Sequence, residues 1–362
     1  MKNLLLLTLP SLFSCFIAGE LFFRFVIPAC EQPWGYYDPI EKIAKLQTDQ
    51  GSGVYTIGKF ARQRGNWRVN NAGWNSDIDY FDPSQRRKPL IAIIGDSYIE
   101  ALQVNVNDSI VSVLRRKVQN QYDVYGFGIS GAPLSQYLQM SRYVVKHFDP
   151  EVIVVNVVQY DLEESVLSSA SYPYFLEIDM SNGKPEESIL PLSPVTAKQT
   201  TKFLFKSAIV SYLWHNLKLG EFWTQFRAKH HVNEKTLTNN VATNLDAQTK
   251  TYEAAVYVLR TMREENPAKT FVLIADAPRR DIYNGAAPSN DLLWMHKVLT
   301  DLTSRYLFGL VDLIEPFQDR YAKEMVKFNS EYDYHWDKHG HQYAGEVLYR
   351  KLMQLGIVRA VQ

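Results

Sequence analysis

Short runs of consecutive apolar residues recur along the chain, separated by longer stretches whose apolar positions repeat every three or four residues. Leu90-Ile91-Ala92-Ile93-Ile94, ended by Gly95, has the continuous β-branched character of a strand buried on both faces. Val124 to Phe127, Val152 to Val158 and Phe271 to Ala275 repeat that character, and Leu307 to Leu313 supplies one further run. Between them Ser109 to Val118, Leu134 to Lys146, Thr249 to Glu265, Ser289 to Arg305 and Gln342 to Leu355 carry the helical period. Strand alternating with helix predicts an α/β chain: a three-layer α/β/α sandwich with a mostly parallel central sheet. Ligands of such sheets bind beyond the carboxyl ends of the strands. Ser97, the turn at Gly131, Tyr160-Asp161 and Ala277-Pro278-Arg279 all fall there.

The pattern breaks at the N-terminus, where Leu4 to Gly19 carries no charge and apolar residues continue past Glu20 to Ala29. The run approaches the length of a spanning helix, about 20 residues, once Glu20 and Arg24 are placed near one membrane boundary as an i,i+4 pair. Lys2 on the short flank puts the N-terminus inside and the body of the chain outside. A cleaved secretory signal needs small residues at the cleavage site, yet Phe16-Ile17-Ala18 and Ile17-Ala18-Gly19 both begin with a bulky one. Leu12-Phe13-Ser14-Cys15 departs from a lipoprotein box at Phe13, and a buried soluble helix is a third reading. An uncut signal anchor over residues 1–30 is the expectation, which makes the membrane a partner and places the body on the periplasmic or extracytoplasmic side.

Residues 31–88 are rich in Gly, Asn, Asp and Tyr, with little sustained period, and read as a stalk or wrapping segment in which Trp67 to Trp74 is a short strand running into a turn. The main domain is expected over 89–362, with an insertion at about 163–244 roofing the site. That insertion holds a Pro/Ser-rich part, Pro185 to Pro194, and an aromatic amphipathic helix, Lys202 to Leu217, expected to cap the core rather than lie on a membrane.

Composition narrows the function classes. Apolar residues make up 46% and charged residues 22%, which is globular rather than disordered. The 39 basic and 39 acidic residues cancel without a basic stripe, so a nucleic-acid partner is not expected. Cys15 and Cys30, one inside the apolar run and one just beyond it, do not suggest a disulfide.

The chemistry concentrates in three places. Gly95-Asp96-Ser97 puts a serine at the tip of a strand, where its hydroxyl is exposed and its own N–H can face a developing oxyanion. Alone the tripeptide is a weak signal that also fits a turn or a helix N-cap. Gly128-Ile129-Ser130-Gly131-Ala132-Pro133 follows the next strand, and Gly131 could bring a backbone N–H to a ligand. Asp333-Tyr334-His335-Trp336 supplies a histidine with an acid two residues upstream, in the order Ser…Asp…His. Other constellations have blander readings. His335, Asp337 and His339 as a metal cluster are interrupted by Gly340 and lack further ligands, so no metal is expected. His341 reads as a residue of the helix start packing over the site. Arg279 and Arg280 read as solvated surface before anion ligands, and Tyr98, Trp294 and Trp336 as buried aromatics before a sugar platform.

Together the three blocks resemble the SGNH (GDSL-type) hydrolase superfamily in its membrane-anchored bacterial branch, over nearly the whole chain. Glu20-Leu21-Phe22-Phe23-Arg24 and Val69-Asn70-Asn71-Ala72-Gly73 are similar to that branch too. The resemblance implies a flavodoxin-like sandwich with Ser97 as nucleophile, Gly131 as an oxyanion donor, His335 as base and Asp333 as its orienting acid. Two departures stand out. The family's third block carries an Asn that completes the oxyanion hole, whereas Val157-Val158-Gln159-Tyr160-Asp161 holds Tyr160 there, leaving Tyr160 O–H or the Gln159 amide to substitute; Asn156 sits inside the strand. The usual acid lies three residues before the histidine, a place held by Tyr332. The Asp-x-His-Trp arrangement is similar to that of alginate O-acetyltransferase relatives, whose Asp-His pair precedes the serine. The implied activity is that of an O-acyl esterase or O-acyltransferase working through a Ser97 acyl-enzyme on a carbohydrate or other acyl-ester substrate of the envelope, without a cofactor. The alternative is a catalytically impaired protein of this fold that binds glycans or assists assembly.

Overall fold

In the computed structural model, which describes residues 2–166, 175–189, 199–219, 241–330 and 332–359, the chain begins with helix α1 (Lys2–Phe25), long and apolar enough to cross a membrane. Two antiparallel hairpins follow: β1 (Gly35–Asp38) with β2 (Ile43–Leu46), and β3 (Ser52–Ile57) with β4 (Gln63–Arg68). Trp67, Trp74 and Tyr80 from this region are buried in the main core.

From Leu90 the chain alternates. It runs through β5 (Leu90–Gly95), α2 (Ser97–Glu100), α3 (Ile110–Val118), β6 (Asp123–Gly128), α4 (Leu134–Phe148) and β7 (Val152–Val157). The small hairpin β8 (Leu176–Asp179) with β9 (Glu186–Ile189) and the short helices α5 (Gln199–Leu204) and α6 (Ala208–Ser211) come next. Then follow α7 (Val241–Glu265), β10 (Thr270–Ala275), α8 (Arg279–Asn284), α9 (Asn290–Tyr306), β11 (Gly309–Asp312), α10 (Ile314–Glu324) and α11 (Lys338–Gln354). The central sheet has the order β11-β10-β7-β5-β6 with every pairing parallel.

Two-residue alternation explains why these strands read as unbroken apolar runs. In β5, Leu90, Ala92 and Ile94 face one core while Ile91 and Ile93 face the other; Phe271, Leu273 and Ala275 against Val272 and Ile274 do the same in β10. Helices α4, α7 and α9 close the first core, and α3, α10 and α11 the second. The fold is therefore the α/β/α sandwich the alternation predicts. The chain lays β6 on one side of β5 and β7 on the other, and this reversal of strand order sets the carboxyl ends of these parallel strands around one crevice.

Much of the expected insertion, including the second half of the stretch from Pro185 to Pro194, lies outside the described residues. Where the insertion is described, one expectation fails. Lys202 to Leu217 is not a single helix: α5 ends at Leu204, α6 restarts at Ala208, and one π-helical turn spans Tyr212–Asn216. The break follows from hydrogen bonding. Ser207 caps the new start by accepting from Val210 N at 3.3 Å, and the Glu20 carboxylate accepts the Ala208 N–H at 2.9 Å. A continuous helix would have spent that N–H on its own preceding turn.

Candidate active site

Ser97 is presented by a tight strand-to-helix turn. Asp96 caps α2, taking the Tyr98 N–H on Oδ1 at 2.9 Å, while its Oδ2 lies 3.2 Å from Ser97 Oγ. The turn works only because β6 passes directly beneath it: a Cβ on Gly128 would sit 2.0 Å from the Glu100 nitrogen. Burial pushes the Asp96 carboxyl up to about 6.

His335 reaches this serine from the loop before α11. Its Nε2 is 2.7 Å from Ser97 Oγ and its Nδ1 is 2.7 Å from Asp333 Oδ1. That pairing defines the tautomer: Nδ1–H donates to the carboxylate, leaving Nε2 to accept the serine proton. Ser97 has one hydroxyl proton and two acceptors, and the shorter contact is to His335. Burial alone would raise the Asp333 carboxyl, but the hydrogen bond and charge of His335 prevail and hold it below its ordinary value. The two-residue spacing closes the contact within one turn, since Asp333 Oδ1 also accepts the His335 N–H at 3.4 Å.

A buried charged network stands behind His335, and the sequence reading missed it. Arg279 is not solvated surface; it is 7% exposed. Its guanidinium donates to Asp276 Oδ2 at 2.6 Å, to the Tyr98 hydroxyl at 2.6 Å and to the Tyr334 carbonyl at 2.6 Å. Pairing with Asp276 outweighs burial and raises the Arg279 pKa. Asp276 also accepts the Trp336 indole N–H at 2.9 Å, and its own carbonyl lies 2.8 Å from His296 Nε2. Arg279 and Asp276 thus grip the residues on either side of His335. A carboxylate directly after the buried run ending at Ala275, with Arg three residues later, was the available signal. Arg280 is exposed, with its guanidinium 5.2 Å from the Tyr334 ring centroid.

Several expected residues take structural places. Tyr98 and Trp336 are buried, and Trp294 packs half-buried against the main core. His341 is buried in the first turns of α11, its Nδ1 accepting the Ile110 N–H at 3.2 Å, and burial pushes it down to about 3, so it is neutral. The exposed aromatics of the cleft are instead Tyr160 and Tyr334.

The opposite wall holds the oxyanion candidates. Gly131 adopts φ +80°, which a glycine takes without strain, and shares a cleft of about 610 Å³ with Ser97, His335, Gln159 and Tyr160. Among the described residues neither the Ser97 nor the Gly131 N–H has a hydrogen-bond acceptor. The neighbouring Ser130 is fixed by Glu100, whose carboxylate accepts its N–H at 3.1 Å and its hydroxyl. Burial pushes Glu100 up to about 7. Tyr160 sits at φ +78°, a rare conformation for an aromatic residue, with its side chain 57% exposed. Gln159 is exposed beside it. Asn156 is wholly buried in β7, and among the described residues its amide has no partner.

No family model and no curated protein matches the chain. Among solved structures, a lipase/acylhydrolase from Enterococcus faecalis overlaps 76% of this chain and 99% of its own, at 13% identity and TM-score 0.41. The acetyl xylan esterase AlAXEase overlaps 72% and 98% at 13% identity and TM-score 0.41. LAE5, an alpha/beta hydrolase enzyme from the metagenome of Lake Arreo, Spain, overlaps 75% and 96% at 12% identity and TM-score 0.41. Overlap this loose leaves the chemistry to be read from the residues of the chain itself.

Proposed function

We propose that the chain is a serine-dependent O-acyl esterase or O-acyltransferase of SGNH type, held at a membrane by α1 and acting outside the cytoplasm on an ester-bearing envelope or exported glycan. The observation that carries this reading is the unbroken relay Ser97 Oγ, His335, Asp333, with both contacts at 2.7 Å. In the first half-reaction His335 Nε2 takes the serine proton as Oγ bonds to the ester carbon. The negative charge on the former carbonyl oxygen meets the N–H groups of Ser97 and Gly131. The ester C–O bond then breaks, and the departing alkoxide receives the proton from His335. In the second, water or a sugar hydroxyl attacks the acyl carbon and gives its proton to His335; the bond from that carbon to Ser97 Oγ then breaks, His335 returns the proton to Oγ, and the carboxylic acid or the new sugar ester leaves.

A fluorophosphonate probe tests the first half-reaction: it should label the wild-type chain and fail to label Ser97→Ala. A folded wild-type chain that resists every such probe would overturn the reading. Product analysis with an acyl donor, with and without a glycan acceptor, separates esterase from transferase. The second reading, a binding or assembly protein of the same fold, draws on Tyr160 standing exposed where the family's Asn donor belongs.

A further inference from the structure

The anchor helix does not leave the membrane as an isolated stem; its last turns are built into the described part of the insertion. Glu20 accepts the Ala208 N–H at 2.9 Å and the Ser207 hydroxyl, and lies 3.6 Å from Arg24, which donates to the Lys206 carbonyl at 3.0 Å. Phe23 stacks on Tyr212 at 4.1 Å between ring centroids, and Ala29, Ala208 and Tyr212 form a small core with Phe23, Ile27 and Leu217 around it. Wherever α1 places Glu20 along the membrane normal, residues 206–212 share that level.

That level follows from helix geometry. At 1.5 Å per residue, Lys2 to Glu20 spans about 27 Å, against a hydrocarbon core of about 30 Å. A spanning α1 therefore brings Glu20, and with it Ser207 and Ala208, to the outer boundary. The face the insertion turns outward there suits that boundary. Phe203 is 72% exposed, Leu204 58% and Trp214 51%, with the exposed Lys206 beside them. Large apolar and indole side chains mixed with lysines are what partition into the headgroup region of a bilayer.

We infer that residues 199–217 form a second membrane contact: an interfacial platform, clamped to the end of α1, that rests Phe203, Leu204 and Trp214 in the lipid headgroup layer. The occupant of this exposed apolar face is the bilayer in which α1 sits. The break between α5 and α6 has a use on this view, because it frees Ser207 and the Ala208 N–H to grip Glu20. The platform is independent of what the cleft does to its substrate.

The test uses the full chain reconstituted in vesicles of phosphatidylethanolamine and phosphatidylglycerol. Cys15 lies in the proposed membrane span and Cys30 is buried, so a cysteine introduced at Phe203, Trp214 or the exposed Leu293 can be labelled with a water-borne NBD iodoacetamide. NBD at 203 and 214 should emit to the blue of NBD at 293 and be bleached by dithionite about tenfold more slowly, as for a group under the headgroups. Equal bleaching at all three positions would overturn the platform. Shielding that disappears on dilution to one chain per vesicle would also overturn it, by assigning the face to a second copy.

Discussion

Glu100 lies three residues beyond Ser97, 4% exposed, and holds Ser130 beside the Gly131 amide. Replacing it with Gln keeps the shape and an acceptor oxygen for Ser130 but removes the ionisation. In the wild type, folding moves this carboxyl from its ordinary 4.5 to about 7, because burial disfavours the charged form. The sign follows from proton counting. Between those two values the folded chain binds the proton that the unfolded chain has released, so stability falls as pH rises through the window. Once both states are ionised the loss amounts to roughly 3 kcal/mol. Asp96, displaced from 3.8 to about 6 by the same cause, adds a fall of similar size that the variant retains. Urea unfolding of the full chain in detergent micelles, followed by tryptophan fluorescence at intervals from pH 4.5 to 8, reads both curves. Wild type should lose about 3 kcal/mol more than Glu100→Gln across that range. Parallel curves would refute the reasoning, since they would mean that Glu100 titrates in the folded chain as it does in water.

Asp333→Asn should lower kcat by about 10⁴ on an activated ester, because the amide no longer holds the imidazole tautomer that frees Nε2 for Ser97; a loss below tenfold would remove Asp333 from that role. Arg279→Met leaves Asp276 buried without its cation and should destabilise the chain by about 3–5 kcal/mol, read as a lower urea midpoint, with partial recovery in the Asp276→Leu, Arg279→Met pair. An unchanged midpoint would refute the assigned ion pair. Tyr160→Asn supplies an amide where the exposed tyrosine now stands and suits a positive φ better, so thermal stability should hold or rise and kcat should increase by up to about 10². An unchanged kcat would show that the oxyanion is already met by other donors.

What could be read in the chain was whatever lies close together along it. The strands from Leu90, Val124, Val152 and Phe271 were legible because a strand covered on both faces leaves no polar residue to interrupt the run. Ser97, Gly131, Asp333 and His335 were nameable because each sits in a short local motif at a strand end or helix entrance, and the fold brings the serine and histidine within 2.7 Å. The charged residues were another matter. Arg279 reads as surface by type, yet it is buried, because Asp276 neutralises it and Tyr98 and Tyr334, far away in sequence, accept from its Nη2. Glu100 was invisible for the same reason: the group that satisfies it, Ser130, is one strand away. Glu20 read as a boundary charge beside Arg24, but its decisive partners are Ser207 and Ala208, and they break the helix expected over Lys202 to Leu217. A buried charge is tolerated when its partner is in place, and that partner comes from another part of the fold. Pattern reading that sends charges to the surface therefore fails where two distant polar groups complete each other. In this chain those places are the joint of α1 with α6, the turn at Ser130 and Gly131, and the support of His335.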